Sequence, residues 1–462
     1  MNSTERVSLS SEIDFYLGHP RVGTVSVVIA PNALSDLREL VAALPEHRVI
    51  AILTDTTPFR TATIEDVKAL VGEALDQVGE IVWVVLAGDV HADEDTLSVA
   101  TQGCLDCDVL VTIGSGTLCD IGKVVAADRP HIVIQSAASV NGFADDQSVL
   151  LIDGVKRTTQ SAWPRSIIVD GRVIQGAPIE LNRSGLGDMM SMFTAPADWY
   201  LASLVGGDRS WNREAASIAR KHGEILLEIA PGIGSNESRA LMILSQLTTL
   251  SGLSMGVAGQ TSPSSGMEHT ISHLLDMTRT VRGEPTAYHG AQVGVASVIA
   301  SIVWSRMFDR MADETIGTLL VPEDEASEKL VREVFAQIDP TGEMGEECWS
   351  DYSRKLDRLR SGNASTRVAE LVAAWSDHGP TIESLLKEPQ SIAEALKAAG
   401  APTTFSGINH PVRADDVVWA LANCHLMRNR FTIADLAFMT GWWTETEISS
   451  VLDEAATMGA GQ

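Results

Sequence analysis

Between Thr24 and Ile134, short apolar runs alternate with amphipathic stretches, and this alternation restricts the chain to few architectures. Val25–Ala30 and Val49–Thr54 are apolar runs of strand length, separated by Leu34–Ala43, whose apolar positions recur at helical spacing. The order then repeats: a helix over Ile64–Val78, a strand over Ile81–Leu86, a helix visible over Asp95–Thr101, a strand over Val109–Ile113, a helix beginning near Leu118 and a strand over His131–Ile134. Strands that are apolar on both faces and interleaved with helices predict a parallel sheet covered on both sides. Open sheets of this kind bind ligands at the carboxyl ends of their strands.

Two features fall at such ends. Gly114-Ser-Gly-Thr-Leu118 turns from a strand into a helix, where backbone N–H groups and the positive helix end suit a pyrophosphate. Asp55 ends a neighbouring strand, where a carboxylate suits a ribose diol. The glycine run lacks the third glycine of the usual dinucleotide fingerprint, and by itself it serves an ordinary strand-to-helix turn equally well. After the strand at His131 comes a small polar segment, Gln135–Asp145, in which Ser136 and Ser139 offer hydroxyls without bulk to a nicotinamide and substrate pocket. Val149–Ile152 and Ser166–Val169, separated by turn residues, suggest a hairpin. Beyond Ile179 helical periodicity prevails, so the boundary is expected near residue 180, with an α/β dinucleotide-binding domain over 1–180 and an all-α domain over 181–462.

The chain of 462 residues is long enough for two domains. Its net charge of −27 argues against phosphate-neutralising contacts with nucleic acid or anionic lipid. Five scattered cysteines fit a reducing compartment rather than a disulfide framework, and Cys104 and Cys107 lack a second pair at zinc spacing. No leader is visible, and the most apolar run, Val293–Trp304, reads as a buried helix rather than a membrane span. A soluble, cytoplasmic protein is the expectation. The acidic stretch Pro322–Glu328 reads as the first turn of a surface helix.

Chemistry concentrates further along. His269 and His273 stand four residues apart among apolar positions at helical spacing, so both imidazoles project from one face of one helix. His289 opens another apolar helical run and suits the same point from a different direction. Asp188, after a glycine-rich stretch read as a turn, offers a carboxylate. Two imidazoles and one carboxylate with open positions suit Zn²⁺, Fe²⁺ or Ni²⁺. Any one of these histidines, taken alone, is equally an ordinary satisfied core or surface group.

Five motifs appear in order: Gly-Ser-Gly-Thr-x-x-Asp, Ala-Ala-Ser-x-x-Gly-Phe, Gly-x-Gly-Asp, Ser-Gly-x-Glu-His-x-x-Ser-His and His-Gly-x-x-Val-Gly-Val-Ala. Together they resemble the sn-glycerol-1-phosphate dehydrogenases, especially their bacterial branch, within the superfamily of iron-containing alcohol dehydrogenases, glycerol dehydrogenases and dehydroquinate synthases. The likeness extends to Met427–Ala437. It implies a dehydroquinate synthase-like fold, NAD(P)H and one divalent metal as cofactors, and a homodimer. Asp188, His269 and His289 would hold the metal, with Asp188 also taken as catalytic and in contact with substrate. His273 would face the substrate as a catalytic group. Asp55 would hold the adenosine ribose and Gly114, Ser115, Gly116, Thr117 and Leu118 the pyrophosphate, with Ser136 and Ser139 against the nicotinamide. The reaction implied is the interconversion of dihydroxyacetone phosphate and sn-glycerol 1-phosphate, or of a closely related ketone and polyol phosphate.

The chain departs from the pattern at four positions. Asn141 stands where an Asp usually touches substrate, and Asp145 replaces a serine placed with the cofactor contacts. Cys119 replaces an Asn, and Ala291 a Glu. These bear on the substrate more than on the reaction type. Two alternatives share the scaffold: a sugar-phosphate cyclase of the dehydroquinate synthase type, which would want more basic residues and a Glu ligand, and a non-catalytic nucleotide-binding relative.

Overall fold

The computed structural model describes residues 9–152 and 155–462. These residues divide into two compact units, each taken here by itself. The first runs to Ile152 and adds Lys156–Met189 and Glu224–Thr261, and the second holds Met190–Gly223 and Ser262–Gln462.

The first unit is built on a six-stranded parallel sheet of β1 (Ser26–Ala30), β2 (Val49–Asp55), β3 (Glu80–Leu86), β4 (Val109–Gly114), β5 (His131–Gln135) and β8 (Ser166–Asp170), in the order β1-β8-β5-β4-β2-β3. Alternate residues go to opposite faces, as pleating requires. Ile50 and Ile52 join Val109, Val111, Ile132, Ile134 and Ile168 under the helices Leu37–Ala42 and Val67–Leu75. Ala51 and Leu53 join Leu110, Val84 and Leu86 under the helices Glu94–Gly103 and Gly116–Ala126. The chain reverses its direction of winding between β2 and β4, so the carboxyl ends of those two strands frame the crevice where open α/β sheets take ligands.

Several expected elements are displaced. The helix expected from Ile64 begins at Val67, because Ile64 adopts φ 69° and Asp66 caps the helix by accepting from Ala69 N at 3.1 Å. The expected pairing of Val149–Ile152 with Ser166–Val169 does not form. β6 (Gln147–Ile152) pairs instead with β7 (Val155–Gln160), whose polar sequence reads as turn residues, while Ser166–Asp170 is buried throughout and lies between β1 and β5. A strand apolar on both faces belongs inside a covered sheet, not in a surface hairpin. The single cut expected near residue 180 is replaced by a chain that leaves the first unit after Met189 and returns for Glu224–Thr261. The returning helix Ser238–Ala258 packs against β1 and against the helices Leu9–Leu17 and Ile179–Met189. Periodicity identifies such a helix but cannot tell which core it joins. Cys104 and Cys107 belong to the core under β3, and burial pushes the Cys104 thiol up to about 12.

The second unit is helical. Its spine is His289–Ala312, packed against Met267–Val281, Trp375–Leu385, Pro389–Ala398, Ile433–Met439 and Glu445–Thr457. At 24 residues this helix is longer than its apolar run suggested, and Ser238–Ala258 is likewise long and apolar enough to cross a membrane; 83% of each apolar window is buried, as core helices require. The acidic stretch near residue 322 opens the helix Asp324–Phe335, with Asp324 and Glu325 in its first turn.

His131, in β5, is a buried imidazole whose Nε2 lies 2.8 Å from Thr112 Oγ1. Burial, reinforced by the charge on Lys123, holds its pKa down at about 3, against 6.5 for the free side chain. Between those values the unfolded chain binds the extra proton, so stability is complete above the unfolded pKa and declines as pH falls through this window. The slope for one such proton is at most about 1.4 kcal/mol per pH unit. His131→Asn should flatten the decline in urea unfolding midpoints measured from neutral pH down to about pH 5.

Candidate active site

The carboxyl ends of β2 and β4 carry the expected nucleotide groups side by side. Thr54 Oγ1 donates to Ile113 O at 3.1 Å, which places Asp55 next to Gly114. Asp55 Oδ1 accepts from Thr57 N at 2.8 Å. Ser115 is the N-cap of a helix that starts at Gly116, two residues earlier than expected. A Cβ on Gly114 would lie 2.4 Å from Leu118 Cδ1, so only glycine lets the turn close on its own helix. The missing third glycine has a counterpart in Gly122, where a Cβ would meet Thr112 Oγ1 at 2.4 Å and His131 Nε2 at 2.8 Å. It performs the close helix-to-strand packing that the third glycine supplies elsewhere, three residues later in the chain.

The loop after β5 lies alongside. Ser136 N donates to Gly114 O at 2.9 Å, tying this loop to the glycine turn. Ser139 Oγ and Asn141 Nδ2 are buried polar atoms with no hydrogen-bond partner among the described residues. Orphaned polar atoms are costly unless a ligand or water satisfies them. Asp145 is held by a group to which the sequence reading gave no role: the buried Lys123 ammonium donates to its Oδ1 at 2.6 Å, to Gly142 O at 2.8 Å and to Gln147 O. Burial opposes the charge on Lys123, but Asp145 and Asp120 outweigh it and raise its pKa. The aspartate that replaces a serine thus closes the loop as half of an ion pair.

Asp188 does not follow a turn. The glycines before it lie inside the helix Ile179–Met189, and a Cβ on Gly185 would stand 1.6 Å from Ala138 O. Gly185 lets the helix press against the loop after β5, and the outcome is that Asn141 N donates to Asp188 Oδ2 at 2.8 Å. Asp188 is 1% exposed.

The helix Met267–Val281 presents His269 and His273 on one face, as the spacing required, and His289 is the first residue of the helix His289–Ala312. The ring centroids of His269 and His289 are 5.2 Å apart, and those of His273 and His289 are 5.5 Å apart. Two imidazoles this close suit a divalent metal ion.

Hydrogen-bond directions assign the tautomers. Gln292 Nε2 donates to Asp276 Oδ1 at 2.9 Å, leaving Gln292 Oε1 to accept from Ser272 Oγ at 2.8 Å. Having given its proton, Ser272 Oγ can only accept at its 3.1 Å contact with His289 Nδ1, so His289 carries its hydrogen on Nδ1 and keeps a lone pair on Nε2. His269 Nδ1 lies 3.0 Å from Glu268 Oε1, with the same consequence. Glu268 is fixed in turn by Gly266 N at 2.6 Å and Thr194 Oγ1 at 2.8 Å. Arg428 Nη2 donates to His273 Nδ1 at 2.6 Å, which puts the hydrogen of His273 on Nε2. Glu268, Ser272, Asp276, Gln292 and Arg428 were given no role from sequence. The first four carried a signal, since each is polar on the buried side of an apolar helix and Ser272 and Asp276 share one face.

The profile of the iron-containing alcohol dehydrogenases matches residues 28–178. A glycerol-1-phosphate dehydrogenase (NAD(P)+) of Bacillus licheniformis is 29% identical over 399 residues, covering 82% of this chain and 99% of that one. The chain is thus similar to the glycerol-1-phosphate dehydrogenases and, over residues 28–178, to the iron-containing alcohol dehydrogenases. The enzyme of the same name from Methanospirillum hungatei is 29% identical over 275 residues, 59% of this chain and 73% of its own. The fold is also that of a probable glycerol dehydrogenase from Sinorhizobium meliloti, with TM-score 0.59 at 15% identity over 95% of this chain and 98% of that one. An iron-containing alcohol dehydrogenase from Thermotoga maritima superposes with TM-score 0.53 at 14% identity, over 94% and 98% of the two chains.

The contact between Gly185 and the Ala138 carbonyl yields a direct test. Gly185→Ala should lower stability by about 3 kcal/mol or more, since backbone must move to admit the methyl. Gly142→Ala, whose added methyl meets nothing within 4 Å, should leave the urea midpoint unchanged.

Proposed function

We propose that this chain is a metal-dependent, NAD(P)H-linked oxidoreductase that interconverts dihydroxyacetone phosphate and sn-glycerol 1-phosphate or a closely related ketone and polyol phosphate. The observation that carries this reading is the pair of imidazoles of His269 and His289, ring centroids 5.2 Å apart and each set by its neighbours to offer Nε2, with Asp188 as the carboxylate that the family resemblance adds. Two neutral imidazoles and one carboxylate fit Zn²⁺, Ni²⁺ or Fe²⁺ and leave coordination positions for a substrate oxygen. When bound, the metal supplies Lewis acidity at the ketone and the reduced nicotinamide supplies hydride.

The remaining roles fall to the chain's own residues. Asp55 receives the adenosine ribose, and Gly114 through Leu118 hold the pyrophosphate at the helix N-terminus. Ser136 and Ser139 border the nicotinamide. The orphaned Nδ2 of Asn141 donates to a substrate hydroxyl, a pairing that satisfies a buried atom otherwise left costly. His273, with its hydrogen on Nε2, gives the proton that completes reduction of the ketone oxygen. Asp145, through Lys123, shapes the loop that bears Asn141 rather than touching the cofactor directly. The enzyme is further proposed to work in the cytoplasm as a homodimer, in keeping with the family resemblance.

The test is NAD(P)H oxidation with dihydroxyacetone phosphate, using protein stripped by a chelator and refilled separately with Zn²⁺, Ni²⁺ or Fe²⁺. Turnover should return with at least one ion and vanish in His269→Ala; absence of turnover with every ion despite NAD(P)H binding would overturn the reading. Ser272→Ala should weaken metal affinity by about 10- to 100-fold, since it removes the acceptor that orients His289. Competition with a chromophoric chelator reads this without any assay of turnover.

A further inference from the structure

The connection from β2 to the helix Val67–Leu75 is folded back on itself, and the fold delivers one cation to the strand's carboxyl end. Phe59 O accepts from Val67 N at 3.1 Å, Thr61 N donates to Glu65 O at 3.0 Å, and Arg60 pairs with Asp66 at 2.9 Å. With the two ends of the loop so joined, Lys68, in the first turn of that helix, lies over the Phe59 ring with its Nζ 5.1 Å from the centroid and donates to Asp55 O at 2.5 Å. A half-buried ammonium seated on an aromatic face and tied to a carbonyl has given up much of its rotamer freedom before any ligand arrives.

Capping that carbonyl uses one of the three N–H donors of the ammonium. No carboxylate pairs with Lys68 among the described residues, and the carboxylate of Asp55 engages Thr57 N at 2.8 Å instead. Thr56 and Thr57, the next two residues, are exposed and bear hydroxyls. The strand end therefore offers a carboxylate that suits a ribose diol, and with it an ammonium and two hydroxyls that a plain diol does not require. What this second set suits is an anion, since a phosphate ester accepts from ammonium and hydroxyl alike. An anion at this point has to be held against Asp55 and against a chain carrying −27, so a local cation is the condition for holding it. The adenosine riboses of NADH and NADPH differ by one group, a phosphate ester on O2′.

We propose that Lys68, with the hydroxyls of Thr56 and Thr57, binds the adenosine 2′-phosphate, so that the site takes NADPH as well as NADH; the inference rests on the dinucleotide site of the reading above. Binding tests it without metal or turnover, by calorimetric titration of the full chain with each dinucleotide, with adenosine 2′,5′-bisphosphate and with adenosine 5′-monophosphate. The parent should bind NADPH with a Kd within about tenfold of that for NADH. Lys68→Met should raise the Kd for NADPH relative to that for NADH about 10- to 100-fold, and the Kd for the bisphosphate relative to the monophosphate in parallel. Lys68→Arg, which keeps the charge, should recover part of the loss. A parent that binds NADH alone would overturn the proposal. Equal weakening of both dinucleotides in Lys68→Met would assign Lys68 to holding the end of β2 and overturn it likewise. Binding of neither dinucleotide would bring down the nucleotide site and this proposal with it, whereas the shifted ratio without turnover of any ketone would support the proposal and leave the reaction to fall alone. Where far-UV circular dichroism shows that Lys68→Met does not fold, the double variant Thr56→Val/Thr57→Val, at exposed positions, carries the comparison: a rise of about threefold or more in the ratio supports the proposal, and an unchanged ratio ends it.

Discussion

A buried polar side chain must find its partners inside the protein, and the seam between the helices Met267–Val281 and His289–Ala312 is organised by that demand. Ser272, Asp276 and Gln292 are fully shielded, and each satisfies another. Because Asp276 accepts and the Gln292 amide both donates and accepts, the direction of every bond in the relay is determined, and the last of them sets the tautomer of His289. The relay also fixes the register of the two helices, since a slide of either would strand several polar groups at once. Packing and ligand chemistry are in this way settled by one network. Glu268 does the same for His269, and Asp198 anchors the helix start by accepting from Met267 N at 2.8 Å while burial and neighbouring Glu268 push its own carboxyl well above the usual range.

The α/β unit meets a different constraint, the close approach of backbone to backbone. Gly114, Gly122 and Gly185 all stand where a Cβ would collide, and each collision would separate two elements that carry candidate contacts. Gly185 matters most, since the approach it permits brings Asn141 N to Asp188 Oδ2. The loop between them is closed at its far end by Lys123, a charge buried in the sheet unit and surrounded by two carboxylates and two carbonyl groups. A pair of this kind is weak evidence for stability, and what it does here is hold Gly142, Asp145 and Gln147 to one ammonium group.

Much of this was legible in the sequence because it follows from periodicity. Continuous apolar runs of strand length and helical spacing located the sheet, its covering helices and the shared face of His269 and His273. What escaped depends on partners distant in the chain. Val155–Gln160 is polar enough to pass for a turn, and only β6 makes it a strand; Ser166–Asp170 could pair locally until burial on both faces assigned it to the sheet. Ser184-Gly-Leu-Gly has the composition of a turn, and a turn is what local reasoning returns. It is helical, and the loop after β5 takes the space that the absent side chain of Gly185 leaves. Arg428 lies far along the chain from His273, and nothing in its neighbours announces the contact. Ser272, Asp276 and Gln292, by contrast, were readable in retrospect, as polar residues at core positions of apolar helices ask for partners.

The substitutions that set this chain apart from the family pattern acquire a physical sense together. The substitution at position 141 exchanges a carboxylate for an amide whose Nδ2 is a buried donor, while the backbone N–H of the same residue donates to Asp188 Oδ2 at 2.8 Å. The negative charge introduced at Asp145 is placed where Lys123 cancels it, so its field at Asp188 is reduced. Both changes therefore alter the charge around a loop whose backbone contact with Asp188 they leave in place, because the groups that hold that contact and those that balance the new charge are different side chains held by different bonds.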